Sequence, residues 1–541
     1  MSLEAFPSYT NSDKLRKLER ALYAIIIASL LLIFIRSVYN RYNQFPWFNL
    51  PLGWDSINYV RCAKQAHVTG FLEYLLSDSR YVVYLLPHIL LDRFFDPSQI
   101  EIVLPVVLLS LYSLISFLIV FKASNSLLLA TSSIFLTLFN IRGSKLLGLF
   151  HANLLALVFL LCFIYALSRR GNSFGGYRDY LLITFFFLVP LTHPFTSVFF
   201  MGTLPIILVY NHRSVRGELA NVGNRIKHLL LSAIYVALLL LLNFDQMFYM
   251  GSRAVSDSVY AVPGTWISMV GVEDYLFIFN EDVLSLVIIV VCNLYLVVRS
   301  RDEPWLSYLS GFSLASLLFP LVQLLVPLYI PPKRITLLNQ YQVMVPLTLY
   351  GLQEDLGKVR LRLGLTGHEL RLTPAAKVLS VIVLAYLAWT SWSIYDLALE
   401  NDMIPWIKED QYQGLAAVAE YRGSHPECDL IITYNPDSPG YFRIHRAYAY
   451  VLLGDTHFYI GRAEDAIHLT PPEELDYLSQ GDYERARAYY YGGANPLSES
   501  RNSQYTLALI RGFALNSDIK GEAIGDNASI IKIGGTETQN P

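Results

Sequence analysis

One carboxylate stands where a base would be useful. In LPLGWDSINYV (50–60), Asp55 follows a Pro-Leu-Gly-Trp turn and precedes a helix-like run. It has two readings. As a helix N-cap it would accept from free backbone N–H groups. As a general base at a water–lipid boundary it would be partly desolvated, which raises its pKa and suits it to take a proton from a hydroxyl. The matching cations are Lys333 and Arg334 in PPKRITLLNQYQ (331–342). The planar fork of an arginine binds phosphate oxygens in pairs; the plain alternative is an anchor that snorkels to lipid headgroups. His193, in LTHPFTSVFF (191–200), either bonds a donor phosphate, lines an acceptor path or closes a hairpin. Arg142, beside Asn140 in FNIRGSK (139–145), is expected in an external connection, where it would steer an anion. Further on lie the acids Asp257, Glu273, Asp274, Glu281 and Asp282. Tyr477 and Tyr483, with YYYGG (489–493), offer a surface on which a sugar could stack, although clustered tyrosines are common in ordinary external domains.

The elements that must position these residues are mostly membrane spans. Of 541 residues, 54% are hydrophobic and 16% charged; a soluble globular chain carries roughly 25% charged residues. A net charge of −3 argues against a nucleic-acid partner. KLRKLER (14–20) precedes the apolar run 21–35 with no small-residue cleavage site after it, so that run is read as a retained span rather than a cleaved signal. Spans need roughly 20 apolar residues, and about eleven candidates are found. They lie near 19–38, 101–122, 125–141, 147–168, 179–194, 195–211, 228–246, 281–299, 305–329, 335–352 and 375–395. With a cytoplasmic N-terminus, Lys and Arg gather in the inside connections 169–178, 212–227, 299–304 and 353–377, as the positive-inside rule requires. The loops 39–100 and 247–280 and everything after 396 then lie outside.

The fold class expected is therefore a polytopic α-helical membrane protein with a small C-terminal extracytoplasmic α/β domain. The membrane domain is 1–395 and the external domain 396–541. In the latter, GLAAVAEYRGS (414–424) is an amphipathic stretch, DLIITYN (429–435) reads as a strand, YTLALIRGFAL (505–515) as a helix and ASIIKIGG (528–535) as strand-like. The loop 39–100 is too apolar for a simple connector. Its two helix-like stretches, starting near 60 and 81, suit helices lying on the membrane surface. Four cysteines show neither metal spacing nor a disulfide framework.

This layout resembles the GT-C glycosyltransferases, the superfamily of protein O-mannosyltransferases, aminoarabinose transferases and the catalytic subunit of oligosaccharyltransferase. The likeness rests on one span, a long external loop with an early Asp followed by a Tyr (Asp55 and Tyr59 in GWDSINYVRCAKQAHVTG), many further spans and an external C-terminal domain. The resemblance implies a membrane enzyme that moves a sugar from a polyprenyl-phosphate donor to a glycan, lipid or protein acceptor on the non-cytoplasmic face. Asp55 would be the base, and Arg334, Lys333 and His193 would hold the donor phosphate. Glu273, Asp274 or Tyr59 would help the acceptor. A divalent metal stays open, with no D-x-D pair to hold it. No WWDYG-like acceptor motif is present, which counts against an oligosaccharyltransferase. There is no Walker or Rossmann glycine motif either, in keeping with a lipid-linked rather than a nucleotide donor. The competing class is a non-enzymatic polytopic protein: a lipid or polysaccharide transporter, an assembly subunit or an inactive relative. A transporter would often show internal repeats, and none is found.

Overall fold

The computed structural model describes residues 9–70, 82–168, 282–300, 303–322, 335–358, 360–362, 369–371 and 373–426, short pieces between 184 and 199, and the elements of the C-terminal part named below. Lys333, Arg334, Glu273, Asp274, Tyr477, Tyr483 and the span 228–246 lie outside the described residues.

By internal contacts the chain divides into two units. The first holds Met1–Arg41, Phe71–Leu90 and Val103–Met403. The second holds Tyr42–Gly70, Leu91–Ile102 and Ile404–Pro541. Two pieces of the long first loop thus belong with the C-terminal part.

Among the described residues, four helices are long and apolar enough to cross a membrane: the Lys17–Asn43 portion of α1 (Tyr9–Asn43), α4 (Pro97–Ser124), α7 (His151–Ser168) and α11 (Thr373–Asp402). They coincide with four of the spans read from hydropathy. A fifth is broken: α5 (Leu127–Leu138) and α6 (Ile141–Gly148) meet at a 51° bend. The bend has a local cause. Asn140 leaves the helical region at φ −152°, ψ 166°, and its side chain accepts from the Gly143 N–H at 2.6 Å. One helix stops there and a new one is capped. The expected spans at 281–299, 305–329 and 335–352 correspond to α8 (Val283–Arg299), α9 (Pro304–Val322) and α10 (Tyr341–Lys358).

Burial separates the helices by role. α10 is enclosed almost all round from Tyr341 to Leu349, the mark of a central helix. α8 is amphipathic in an inverted sense: Val283, Val287, Val291, Leu294 and Val298 are exposed along one stripe, while Ser285, Cys292 and Asn293 are buried. Exposed aliphatic residues recur on α1, α4 and α11. Water would not tolerate that much contiguous apolar surface; lipid does.

In the second unit, α2 (Ser56–Thr69) packs on α13 (Phe442–Leu453), which packs on α12 (Glu409–Ser424), and α12 lies against a mixed sheet. The sheet order is β4-β3-β5-β7-β6. β3 (Leu430–Tyr434) pairs in parallel with β4 (His457–Ile460) and β5 (Tyr505–Ile510). β7 (Ala528–Ile533) runs antiparallel to β5 and to β6 (Glu522–Ala523). The helix expected over 505–515 is therefore a strand at its start. With β3 on one side and β7 on the other, and with Ala508 and Ile510 buried, it is central. A central strand reads as a continuous apolar run, which periodicity alone does not separate from a helix.

The ring of His445 on α13 is buried, and burial holds its pKa down to about 4, against a hydrogen bond to the Trp406 backbone and with some help from Lys408. The unfolded chain takes up that proton first, below about 6.5. Stability is thus complete above about 6.5 and falls as pH drops toward 4, by at most about 3 kcal/mol. Hydrogen exchange of 442–453 in the full chain, corrected for intrinsic rates, should show lower protection at pH 5 than at pH 7, and His445→Gln should flatten the difference. Equal protection of the unaltered chain at both values would refute this.

Candidate functional site

Asp55 is held by a turn that only certain residues can make. Gly53 has φ 106°, a conformation open to glycine, and its N–H donates to the Ile404 carbonyl at 3.1 Å. Tyr42 Oη accepts from the Leu52 N–H at 3.2 Å, and the Ser56 hydroxyl donates back to the Leu52 carbonyl at 2.7 Å. Trp54 meets Trp406 edge-on, with ring centroids 4.6 Å apart. Behind the turn, Phe48 packs on Tyr412 (5.2 Å) and Tyr448 (5.8 Å). Lys64, further along α2, donates to the Val451 carbonyl at 3.1 Å. The helix that carries the acid is thus seated on residues some 350 positions later, between Ile404 and Val451.

At this position the two sequence readings separate. Asp55 occupies the N-cap position of α2, but its backbone is already helical (φ −85°, ψ −17°) and its side chain makes no cap hydrogen bond. Only its carbonyl serves the helix, accepting from Asn58 N–H at 3.0 Å and Tyr59 N–H at 3.1 Å. Capping requires an extended backbone that folds the side chain over the first turn. Asp282 shows the contrast. Its backbone is extended (φ −119°, ψ 122°), its carboxylate accepts from Leu284 and Ser285 N–H groups, and Tyr386 donates to it at 2.6 Å. Asp282 thus caps its helix with its side chain, whereas the half-buried Asp55 does not. Tyr59 lies one turn below Asp55 and is buried.

In the first unit, Arg142 on α6 is only 1% exposed, so it is not the solvent-facing residue expected from hydropathy. Its Nε donates to the Leu337 carbonyl at 2.6 Å, Nη1 to Gln342 Oε1 at 2.7 Å and Nη2 to Tyr112 Oη at 2.6 Å. Tyr112 in turn donates to Gln340 Oε1 at 2.6 Å and accepts from Gln342 Nε2 at 2.8 Å. The guanidinium carbon lies 5.4 Å from the Tyr112 ring centroid and 5.9 Å from that of Tyr341. Among the described residues no carboxylate pairs with it. Lys145, one turn on, differs: it pairs with the buried Asp402 of α11, to which the Ser144 hydroxyl also donates. The Arg142 network clasps Leu337 to Gln342, the segment directly after Lys333 and Arg334.

His193 is half-buried, and its Nδ1 accepts from the Thr196 N–H at 3.2 Å. Cys62, Cys162 and Cys292 are free thiols. Among the described residues no group of three His, Cys, Asp or Glu side chains is arranged to hold a metal.

No family model matches the chain, and no curated protein matches it in sequence. Among solved structures it is similar to the crystal structure of ArnT from Cupriavidus metallidurans in the apo state. The TM-score is 0.50 at 9% identity, over 91% of this chain and 93% of that one. With its apolar helices, this chain is a membrane protein that shares the fold of that structure.

Proposed function

We propose that this GT-C-fold membrane protein is a glycosyltransferase that moves a sugar from a polyprenyl-phosphate donor to an acceptor hydroxyl on the non-cytoplasmic face. The observation that carries the reading is Asp55: a half-buried carboxylate, fixed by a glycine turn, that makes no cap hydrogen bond. In the reaction, Asp55 accepts the proton of the acceptor hydroxyl as its oxygen attacks the anomeric carbon. The new C–O bond forms as the bond from that carbon to the phosphate oxygen breaks. The electron pair leaves with the polyprenyl phosphate, and the proton passes from Asp55 to solvent. Arg334 and Lys333 neutralise the leaving phosphate, and Glu273 or Asp274 orients the acceptor. Positioning and charge stabilisation supply most of the rate.

The test is a transfer assay. The full chain in lipid nanodiscs, given a labelled polyprenyl-phosphate sugar and a hydroxyl acceptor, is expected to release polyprenyl phosphate only when the acceptor is present. A panel of such donors that all remain intact, with only bulk phospholipid co-purifying, would count against the transferase reading.

A further inference from the structure

Between α3 (Val82–Leu91) and α4 the chain makes a tight turn, LDRFFD (91–96). The N–H groups of Phe94 and Phe95 both donate to the Leu91 carbonyl, at 2.9 and 3.0 Å. Asp96 then caps α4. Its carboxylate accepts from the Ser98 N–H at 2.8 Å, and the Gln99 side chain accepts from the Asp96 N–H at 3.3 Å. Pro97 opens the helix with its φ preset. The turn is thus fixed at both ends.

Its charges are sorted. Both acids are tied to α2: Asp92 lies 2.6 Å from His67 Nδ1, and Asp96 lies 3.6 Å from Lys64 Nζ. Arg93 is exposed, and among the described residues no hydrogen bond or ion pair reaches it. The apolar side chains also face out. Phe94 is 76% exposed, Phe95 54% and Leu91 41%. The His67–Asp92 contact holds the end of α2 against this turn, and there Val68 is 78% exposed. Such a tip suits lipid: a carboxylate turned toward hydrocarbon is costly, whereas a cation at the headgroups is favourable. What covers it follows from α4. That helix begins two residues after Phe95 and has 28 residues. It is about 42 Å long, against a hydrocarbon core of about 30 Å, so its ends reach the headgroups. Val103, the first of its exposed aliphatic residues, lies about 9 Å along from Pro97, and Val107, Leu111 and Leu118 follow. The tip continues that lipid-facing surface.

We infer that the Leu91–Phe95 turn is a lipid anchor. Leu91, Phe94 and Phe95, with Val68, insert between the acyl chains of the nearby leaflet, and Arg93 binds an anionic headgroup at its surface. The anchor seats α2, the helix that begins beside Asp55, at the water–lipid boundary. It does not rest on the transferase reading and holds equally for an inactive relative. The test uses the full chain in phosphatidylcholine nanodiscs. A fluorescent dye is placed on Phe94→Cys and, for reference, on Glu420→Cys, an exposed position of α12. The unaltered chain, treated alike, gives the background from the native thiols. The dye at 94 is expected to be quenched more by a nitroxide on the lipid acyl chains than by aqueous iodide, with the reverse order at 420. Near position 94, nitroxide-bearing phosphatidylglycerol should be enriched about fivefold over nitroxide-bearing phosphatidylcholine, and Arg93→Gln should remove that preference. Iodide quenching as strong at 94 as at 420 would put the turn in water and end the proposal. Shielding from both agents would mean that protein covers the tip, and would end it too. Lipid quenching with no preference between the two headgroups would strike out the role of Arg93. Where the labelled chains do not fold, phospholipid with a photoreactive acyl chain decides on the unaltered chain: adducts within 91–95 support the anchor, and adducts on α4 alone remove it.

Discussion

Replacing Asp55 with asparagine is expected to lower kcat for sugar transfer by about 10² to 10⁴-fold, the usual worth of a positioned base. The stability change should stay within about 0.5 kcal/mol. An N-cap Asp would contribute more, typically about 1 kcal/mol, but the Asp55 side chain makes no cap bond to lose. The amide is nearly isosteric, so donor affinity should hold while turnover falls. Asp55→Glu, which keeps the base but moves it by one methylene, should recover part of the rate. Steady-state kinetics and a denaturant titration on the same samples separate the cases. Transfer at the unaltered rate removes the base role. A loss of about 1 kcal/mol with full activity would mean that the carboxylate is a cap after all.

Replacing Arg142 with methionine is expected to be the most damaging change in the membrane unit, at about 3 to 5 kcal/mol. A single hydrogen bond between membrane helices averages only about 0.6 kcal/mol. Arg142 is different because one charged group serves three acceptors on three separate segments, α4, the turn after 334 and α10. Removing it leaves the Leu337 carbonyl and Gln342 Oε1 enclosed without that donor, and such groups cost about 1 to 3 kcal/mol each. Tyr112→Phe should cost less, because Gln340 and Gln342 still bond each other at 3.1 Å. The double variant should fall short of the sum, since both changes break one network. Unfolding in a mixed-detergent titration measures all three. An Arg142→Met chain as stable as the original would mean that the network contributes little. If Arg334 holds the donor phosphate, Arg142→Met should also raise the donor KM, because it loosens the segment that begins at Ile335.

Much of the membrane unit was legible in the sequence. Hydropathy is a one-dimensional property: a run such as 101–122 must be a buried or lipid-facing helix wherever it ends up, and α4, α7 and α11 lie where the runs predicted. Local chemistry also carried over. LGW before Asp55 marked a turn, and Gly53 takes the positive φ such a turn needs. The break at Asn140 was present in FNIRGSK, though there it read as the end of a span rather than a bend within one.

The residues alone determined that this chain lives in lipid, where its long helices run and that an isolated acid follows the first of them. Only the tertiary structure decided the rest. Whether Asp55 caps its helix depends on two backbone angles, and those are set by Ile404 and Trp406 from the far end of the chain. Whether 505–510 is helix or strand depends on β3 and β7 flanking it. Whether Arg142 meets solvent depends on Tyr112, Leu337 and Gln342 closing around it. In each case the deciding partner is distant along the chain, and local composition holds no record of a contact made only when separated segments pack.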